Sequence, residues 1–149
     1  MSTAIGAGVG SSFAAPAPGP AVTEGCEWVV EATGCDAAAL REPDTLAALF
    51  DAIVRDLALH PVAPATWHRF PAPGGVTGVC VLAESHLTVH TFPEHGSLCL
   101  NLFCCRPRDA WPFEARLGER LGATDVQVRR LARPYGPAPL PSTGSGQAR

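Results

Sequence analysis

The chain has 149 residues, of which 46% are hydrophobic and 17% charged, which is enough apolar material for one ordinary globular domain. Its formal net charge is −3, and no run of basic residues gives the electrostatic footprint of a protein that binds nucleic acid or an anionic membrane. All 11 basic residues are Arg, so no lysine can hold pyridoxal phosphate as a Schiff base. A small-molecule substrate is therefore the expected partner.

Both ends of the chain are predicted to be disordered tails. Residues 1–24 are rich in Ala, Gly, Pro and Ser and lack the basic segment of a secretory signal, and residues 136–149 have a similar composition. The six Cys have no paired C-x-x-C spacing, and a domain of this size needs no disulfides, which favours reduced thiols in the cytoplasm. No stretch approaches the roughly 20 continuous apolar residues of a membrane span. One domain is predicted over residues 25–135.

The first half of this domain predicts a strand, a helix and two more strands in chain order. Trp28–Val30 is apolar enough for a short buried strand. The next segment, with Asp44 as candidate N-cap, is predicted to be an amphipathic helix that ends before Pro61. Its apolar stripe consists of Leu46, Leu49, Phe50, Ile53, Val54 and Leu57. Residues 67–70 and 76–82 follow as strands.

Two alternating segments come next. From residue 86 to residue 91, polar and aliphatic residues alternate, so His86 and His90 share one face of a strand and the opposite face is core. A second strand alternates in the same way and has a chemically mixed face of Cys99, Asn101, Phe103 and Cys105.

The last predicted elements are a helix over residues 112–121, ending at Gly122, and a strand that includes Val126 and Val128. The order strand, helix, strands, helix, strand is typical of an α+β protein, in which helices cover one face of a mostly antiparallel sheet. We expect a two-layer sandwich whose other sheet face is covered by a partner subunit in a homodimer.

Reactive side chains are concentrated between Leu82 and Cys105. Ser85 follows a predicted strand, His90 comes five residues later, and Cys105 comes twenty residues after Ser85. A hydroxyl with a histidine and a thiol could form a nucleophile with its general base. However, the G-x-S-x-G elbow of the serine hydrolases is absent from the sequence, so that geometry has no support.

A non-catalytic metal-binding module is the alternative from another class. Its candidate donors are His86, His90, His95, Cys99, Cys104 and Cys105. Their spacing matches no standard structural zinc arrangement, and a strand sends neighbouring side chains to different faces. No metal site is therefore predicted.

Four segments carry a resemblance to a known family: GVTG at 75–78, LAESH at 82–86, TVHTFPE at 88–94 and LFCC at 102–105. In order and spacing they resemble the prokaryotic S-adenosylmethionine decarboxylase proenzymes, small pyruvoyl-dependent enzymes of polyamine synthesis. The likeness extends more weakly from Trp28 to Leu131, so only the two tails fall outside it.

This resemblance implies a chain that cleaves itself between Glu84 and Ser85. The Ser85 hydroxyl attacks the Glu84 carbonyl, the amide becomes an ester, and β-elimination leaves a pyruvoyl group at the head of the downstream fragment. This covalent cofactor would form a Schiff base with the substrate and accept the electrons released as CO2 leaves. The implied activity converts S-adenosylmethionine to decarboxylated S-adenosylmethionine, the aminopropyl donor for spermidine.

The resemblance also implies roles for five further residues. His90 matches the proton acceptor in processing, and Cys105 matches the proton donor in catalysis. Thr77 stands where Ser is usual and keeps a hydroxyl that supports processing. Glu94 and Phe70 match residues that bind the substrate.

Four positions depart from the family pattern: Phe92 for Trp, His95 for Tyr, Asn101 for Asp and Arg106 for Gly. The lost carboxylate and the added basic groups predict a more positive site, which disfavours a cationic sulfonium. A pyruvoyl-dependent arginine or ornithine decarboxylase is therefore the alternative function. A relative that never matures is a further hypothesis, against which the presence of Ser85, His90 and Cys105 argues.

Overall fold

The computed structural model describes residues 23–136, in which a six-stranded sheet carries two α-helices on one face. The strands are β1 (Glu24–Thr33), β2 (Thr66–Arg69), β3 (Val76–Leu82), β4 (Ser85–Phe92), β5 (Ser97–Cys104) and β6 (Asp125–Pro134). The helices are α1 (Pro43–Asp56) and α2 (Phe113–Leu121), with 3-10 turns at Ala39–Arg41 and Pro93–His95. The predicted tails lie outside the described residues apart from positions 23, 24 and 136, and Glu24 already belongs to β1.

Strand order in the sheet is β2-β3-β4-β5-β1-β6, and every neighbouring pair is antiparallel. β3, β4 and β5 are consecutive both along the chain and in the sheet. In contrast, β1, the first strand of the chain, lies between β5 and β6, the last two strands of the chain. The predicted α+β two-layer sandwich is confirmed.

The core lies between the sheet and the two helices. Every second residue of the central strands is buried, as Val30 of β1, Val89 of β4 and Leu102 of β5 illustrate. The helices contribute the buried side chains Leu46, Leu49, Phe50, Ala52 and Ile53 from α1 and Phe113, Leu117 and Leu121 from α2. Each large apolar side chain removed from water contributes about 1.5–3 kcal/mol, so this layer is the main source of stability.

The helix ends agree only in part with the sequence prediction. Asp44 is not the N-cap of α1: Glu42 occupies that position, without a capping hydrogen bond from its side chain, and Pro43 follows it. Proline suits a first helical position because its φ is preset and it has no N–H to satisfy. Asp44 instead lies in the first turn, where its negative charge interacts favourably with the positive end of the helix dipole. α2 ends as predicted at Gly122, whose φ of 69° is left-handed.

The second face of the sheet is called the open face below, because no helix of residues 23–136 covers it. Its outward side chains on β3, β4 and β5 are Thr77, Val79, Val81, His86, Thr88, His90, Phe92, Cys99, Asn101 and Phe103. Toward β6 it is charged, since Arg129 pairs with Glu31 and Arg133 pairs with Glu27.

Candidate active site

The turn between β3 and β4 holds the predicted cleavage bond in a fixed position. It consists of Ala83 and Glu84 only, and Leu82 pairs with Ser85 across it. The Ala83 N–H donates to the His60 carbonyl at 2.8 Å. On the other side, the Cys105 N–H donates to the Glu84 carbonyl, also at 2.8 Å.

This arrangement can assist an attack on the Glu84 carbonyl. The carbonyl is kept beside the hydroxyl of the next residue, Ser85, and fixed proximity removes much of the entropic barrier to reaction. The Cys105 N–H is aimed at the oxygen on which negative charge develops, as a donor of an oxyanion hole is. Sequence analysis missed this backbone donor, because only the pairing of β4 with β5 reveals it.

Cys104 is the side-chain neighbour of Ser85. The two residues are paired across β4 and β5, and the Ser85 hydroxyl forms a hydrogen bond with the thiol. Burial raises the pKa of Cys104 to about 11, and the hydrogen bond from Ser85 opposes this shift only in part. Cys104 is therefore a neutral thiol at neutral pH, and the sequence assigned it no role.

Cys105 follows the last residue of β5 and is exposed, in contrast to the buried Cys104. Because successive side chains of a strand point to opposite faces, Cys105 belongs to the open-face side. The next residue, Arg106, reaches back so that its Nη2 lies 3.1 Å from the Glu84 Oε1. Glu84 is thus held by its backbone carbonyl and by its side chain.

Thr77 and His90 form a second pair, on the open face. They are opposite each other on β3 and β4, and Thr77 Oγ1 lies 2.9 Å from His90 Nδ1. In the tautomer in which Nδ1–H donates to the Thr77 hydroxyl, this contact orients the imidazole ring and leaves Nε2 unprotonated and able to accept a proton.

A cavity of about 510 Å³ opens beside this pair. Its lining brings together the predicted substrate-binding residues Phe70 and Glu94, and it adds Phe92. Both Phe side chains are exposed, which leaves two aromatic surfaces and one carboxylate for a ligand. Arg41 supports the cavity wall, since its Nε donates to the Pro73 carbonyl at 2.7 Å.

The structure separates these two groups of predicted site residues. Ser85 and His90 are five positions apart on β4, which is about 17 Å along a strand that rises about 3.4 Å per residue. β4 is paired on both sides, so it cannot bend to close this distance. Within the described residues, the cavity beside His90 is lined by neither Ser85 nor Cys105.

Carboxylates lie beside two of the four departing residues, and one of them, Glu27, is also paired with Arg133. Asn101 Nδ2 donates to Glu27 Oε1 at 2.6 Å. A carboxylate from β1 therefore lies next to Asn101, where β5 has an amide side chain and no carboxylate of its own. Arg106 is paired with Glu84. His86 stacks on Phe103 with ring centroids 5.3 Å apart, which is a packing role.

The donors of the alternative metal module are divided between the two faces of the sheet. His86 and His90 lie on the open face, whereas Cys104 is in the core. Over residues 23–136, no three His, Cys, Asp or Glu side chains are grouped so that they could hold a metal ion. The same residues contain no helix with the length and apolar character needed to cross a membrane.

The fold is shared with a solved structure, the crystal structure of the adenosylmethionine decarboxylase from Aquifex aeolicus. The two have a TM-score of 0.60 and 24% sequence identity, and the match covers 82% of this chain and 98% of that chain. At this level of identity the match establishes the fold class alone.

Sequence similarity goes further. Residues 26–134 match the sequence model of the family described as S-adenosylmethionine decarboxylase. The S-adenosylmethionine decarboxylase proenzyme 2 of Halalkalibacterium halodurans is 36% identical over 120 residues, which cover 79% of this chain and 92% of that protein. The proenzyme of Shouchella clausii is 38% identical, with 77% of this chain and 88% of that protein covered. The chain belongs to the S-adenosylmethionine decarboxylase family, which confirms the resemblance seen in its motifs.

Proposed function

We propose that the protein is a self-cleaving, pyruvoyl-dependent enzyme that decarboxylates S-adenosylmethionine and so supplies an aminopropyl donor for polyamine synthesis. The observation that carries the proposal is the hydrogen bond of 2.8 Å from the Cys105 N–H to the Glu84 carbonyl, at the bond before Ser85. Family membership supports it, because the relatives named above are proenzymes of S-adenosylmethionine decarboxylase.

Processing begins when Ser85 Oγ attacks the Glu84 carbonyl carbon. The Cys105 N–H stabilises the oxyanion, the hydroxyl proton of Ser85 passes to its own nitrogen, the Glu84–Ser85 C–N bond breaks, and an ester with a free amine replaces the amide. His90 then accepts the proton from Ser85 Cα, the Cβ–Oγ bond breaks, and Glu84 leaves as a carboxylate. Water replaces the former amide nitrogen of Ser85, which is released as ammonia, and a pyruvoyl group remains.

The residues around Ser85 fit such a group. Ser85 would become a chain end beside the Cys105 backbone, and the Cys105 thiol is exposed on the same edge of the sheet. The pyruvoyl group supplies the electron sink for decarboxylation. Cys105 is the proton donor to the carbon that has lost CO2.

His90 reaches Ser85 from a second copy of the chain. The separation of about 17 Å along β4 means that one chain holds two incomplete half-sites. Two copies related by a two-fold axis, with open faces in contact, would bring the His90 end of one β4 over the Ser85 end of the other. At that end the Cys105 side chain lies on the open-face side, whereas the Ser85 side chain lies on the core side beside Cys104. The partner's His90 would therefore approach the backbone of Ser85, whose Cα–H it deprotonates. The enzyme is therefore a homodimer in which each site takes Ser85 and Cys105 from one chain and Thr77 and His90 from its partner.

The aromatic cavity beside His90 is the substrate-binding half of the site. Phe70 and Phe92 offer faces on which an adenine ring can stack, and Glu94 can accept hydrogen bonds from ribose hydroxyls. Ornithine has no planar group for these surfaces, and the guanidinium of arginine is planar but smaller than an adenine ring and carries no ribose for Glu94. Two aromatic faces with one carboxylate therefore favour S-adenosylmethionine over both.

The first experiment is an intact mass spectrum of the freshly purified, denatured protein. Two chains are expected, Met1–Glu84 and Ser85–Arg149, the second lighter by one ammonia than a peptide that begins with serine. The Ser85→Ala variant is the control and should remain a single chain. A single uncut chain in folded parent protein would contradict the proposal and favour a relative that never matures.

The substrate is then tested by release of labelled CO2 from S-adenosylmethionine, arginine and ornithine under the same conditions. Release from S-adenosylmethionine is expected. Release from arginine or ornithine alone would leave the pyruvoyl chemistry intact and contradict the choice of substrate.

A further inference from the structure

A second cavity, of about 310 Å³, lies directly beside Ser85. Its polar lining consists of His60, Glu84, Ser85, Cys104, Arg106 and Arg108. It is separate from the aromatic cavity, and none of the basic residues in its wall has a part in the mechanism described above.

The charges around this cavity are unbalanced. Arg106 and Arg108 are permanently positive, while Glu84 is the one carboxylate among the described residues of the lining. Arg106 contacts Glu84 Oε1 at 3.1 Å, whereas Arg108 Nη1 donates to a backbone carbonyl, that of Leu57, at 3.4 Å. The lining can therefore accept one more negative charge next to Glu84.

Self-cleavage creates a negative charge at this place. We infer that the cavity binds the carboxylate released at the end of the upstream fragment, and that Arg106 stabilises it as it forms. The inference rests on the proposed function. In the elimination step the Ser85 Cα–H proton goes to the base and the Cβ–Oγ bond breaks. Its electron pair stays on the oxygen, which becomes part of the Glu84 α-carboxylate.

Arg106 is suited to this role by its chemistry and its position. A guanidinium has several N–H donors in a planar fork, so it can hold the α-carboxylate while it keeps contact with the side chain of the same residue. Its side chain is 62% exposed, so we expect an effect of about tenfold rather than the 10²–10³ of a buried oxyanion donor.

The test follows maturation of the full-length chain after a short pulse of cell-free synthesis. Mass spectrometry separates three species: the uncut chain, the pyruvoyl-headed fragment, and the ester, which hydroxylamine cleaves to a Glu84 hydroxamate and a serine-headed fragment. Arg106→Gln should form the pyruvoyl fragment about tenfold more slowly and accumulate the hydroxylamine-sensitive ester. Arg106→Lys keeps the charge and should recover most of the rate.

Arg116→Gln is the matched control, because Arg116 is another surface arginine in an ion pair, 3.3 Å from Glu119 on α2. It should mature at the parent rate. Parent-like maturation of Arg106→Gln, or slow maturation without accumulated ester, would overturn the inference. If the parent chain itself forms neither ester nor fragments, the proposed function fails instead.

Discussion

The two ends of β4 differ in what they can do. At the Ser85 end the backbone is fixed on both sides, charged groups surround Glu84, and a neutral thiol contacts the serine hydroxyl. At the other end, His90 is oriented by Thr77 beside an open cavity with two aromatic rings. The first end is suited to breaking a peptide bond, and the second to moving a proton and binding a flat substrate.

In the proposed enzyme, this difference leaves one copy of the chain incomplete. The strand that connects the two ends is too rigid to let them meet, so the proposed division of roles requires a partner on the open face. The predictions below test this division, beginning with the effect that should be all-or-none.

Cleavage should be restored when two inactive variants are produced together. Ser85→Ala lacks the nucleophile and His90→Ala lacks the proton acceptor, so each alone should remain uncut. In mixed dimers, the intact Ser85 of one chain meets the intact His90 of the other. With random pairing, about half of the His90→Ala chains should be cut.

Different affinity tags on the two variants allow the mass of each chain to be measured separately by mass spectrometry. The Ser85→Ala chain should stay whole in every sample and is the internal control. If neither chain is cut in the mixture, His90 acts on its own chain and the two-chain site is wrong.

Removal of the Cys105 thiol should separate cleavage from turnover. Cys105→Ala keeps the backbone N–H that supports the Glu84 carbonyl, so the chain should still be cut. Turnover should fall by about 10²–10⁴, the usual contribution of a positioned proton donor. Cys80→Ala, which changes a cysteine on the core side of β3 away from the open face, should turn over at close to the parent rate. Equal turnover of Cys105→Ala and the parent would remove Cys105 from the mechanism.

Loss of the Thr77 hydroxyl should slow maturation by about tenfold. Thr77→Val keeps the shape of the side chain but removes the contact of 2.9 Å that orients His90, and a lost hydrogen bond of about 1.5 kcal/mol corresponds to roughly that factor. Thr77→Ser keeps the hydroxyl and should mature nearly as the parent does. The rate is read from a pulse of cell-free synthesis, and a parent-like rate for Thr77→Val would argue against an orienting role.

The smallest effect concerns stability and leaves the chemistry unchanged. The pKa of Cys104 is raised by burial to about 11 in the folded chain, from an ordinary value of 9.0. The unfolded thiol ionises first, so this stabilisation is complete below pH 9 and is lost as pH rises toward 11. The loss is about 2 kcal/mol in the free energy of unfolding.

Urea unfolding of the uncut Ser85→Ala chain, repeated between pH 8 and pH 11, measures that loss. When Cys104→Ala is added to Ser85→Ala, the free energy of unfolding should change less between pH 9 and pH 11. When Cys99→Ala is added instead, the change should stay the same. If the free energy of unfolding depends on pH equally with and without the Cys104 thiol, groups other than Cys104 cause that dependence.

Much of the fold could be predicted because each central strand has one buried face. Alternation from His86 to His90 identified β4, and the spacing from Leu46 to Leu57 identified α1. The start of α1 was wrong, since the sequence offers Asp44 as a cap and does not reveal that Pro43 begins the helix.

The site was less accessible to prediction. Motifs located Ser85, His90 and Cys105, but the sequence does not show that about 17 Å of β4 separates Ser85 from His90 within one chain. The Cys105 N–H and the Arg106 side chain reach Glu84 because β4 pairs with β5, which brings together residues 21 and 22 positions apart. Contacts over that distance cannot be read from the local sequence around Glu84.

If the chain is cut before Ser85 as proposed, the strand order determines how long the two fragments stay together. The bond before Ser85 divides the sheet into β1, β2 and β3 on one fragment and β4, β5 and β6 on the other, and β1 lies between two strands of the opposite fragment. Three interfragment ladders, β3–β4, β5–β1 and β1–β6, must open before the pieces separate. Folding starts from one molecule, whereas refolding after a cut needs two to meet, so it becomes concentration-dependent. Maturation thus turns a reversible fold into one whose persistence depends on how slowly it comes apart.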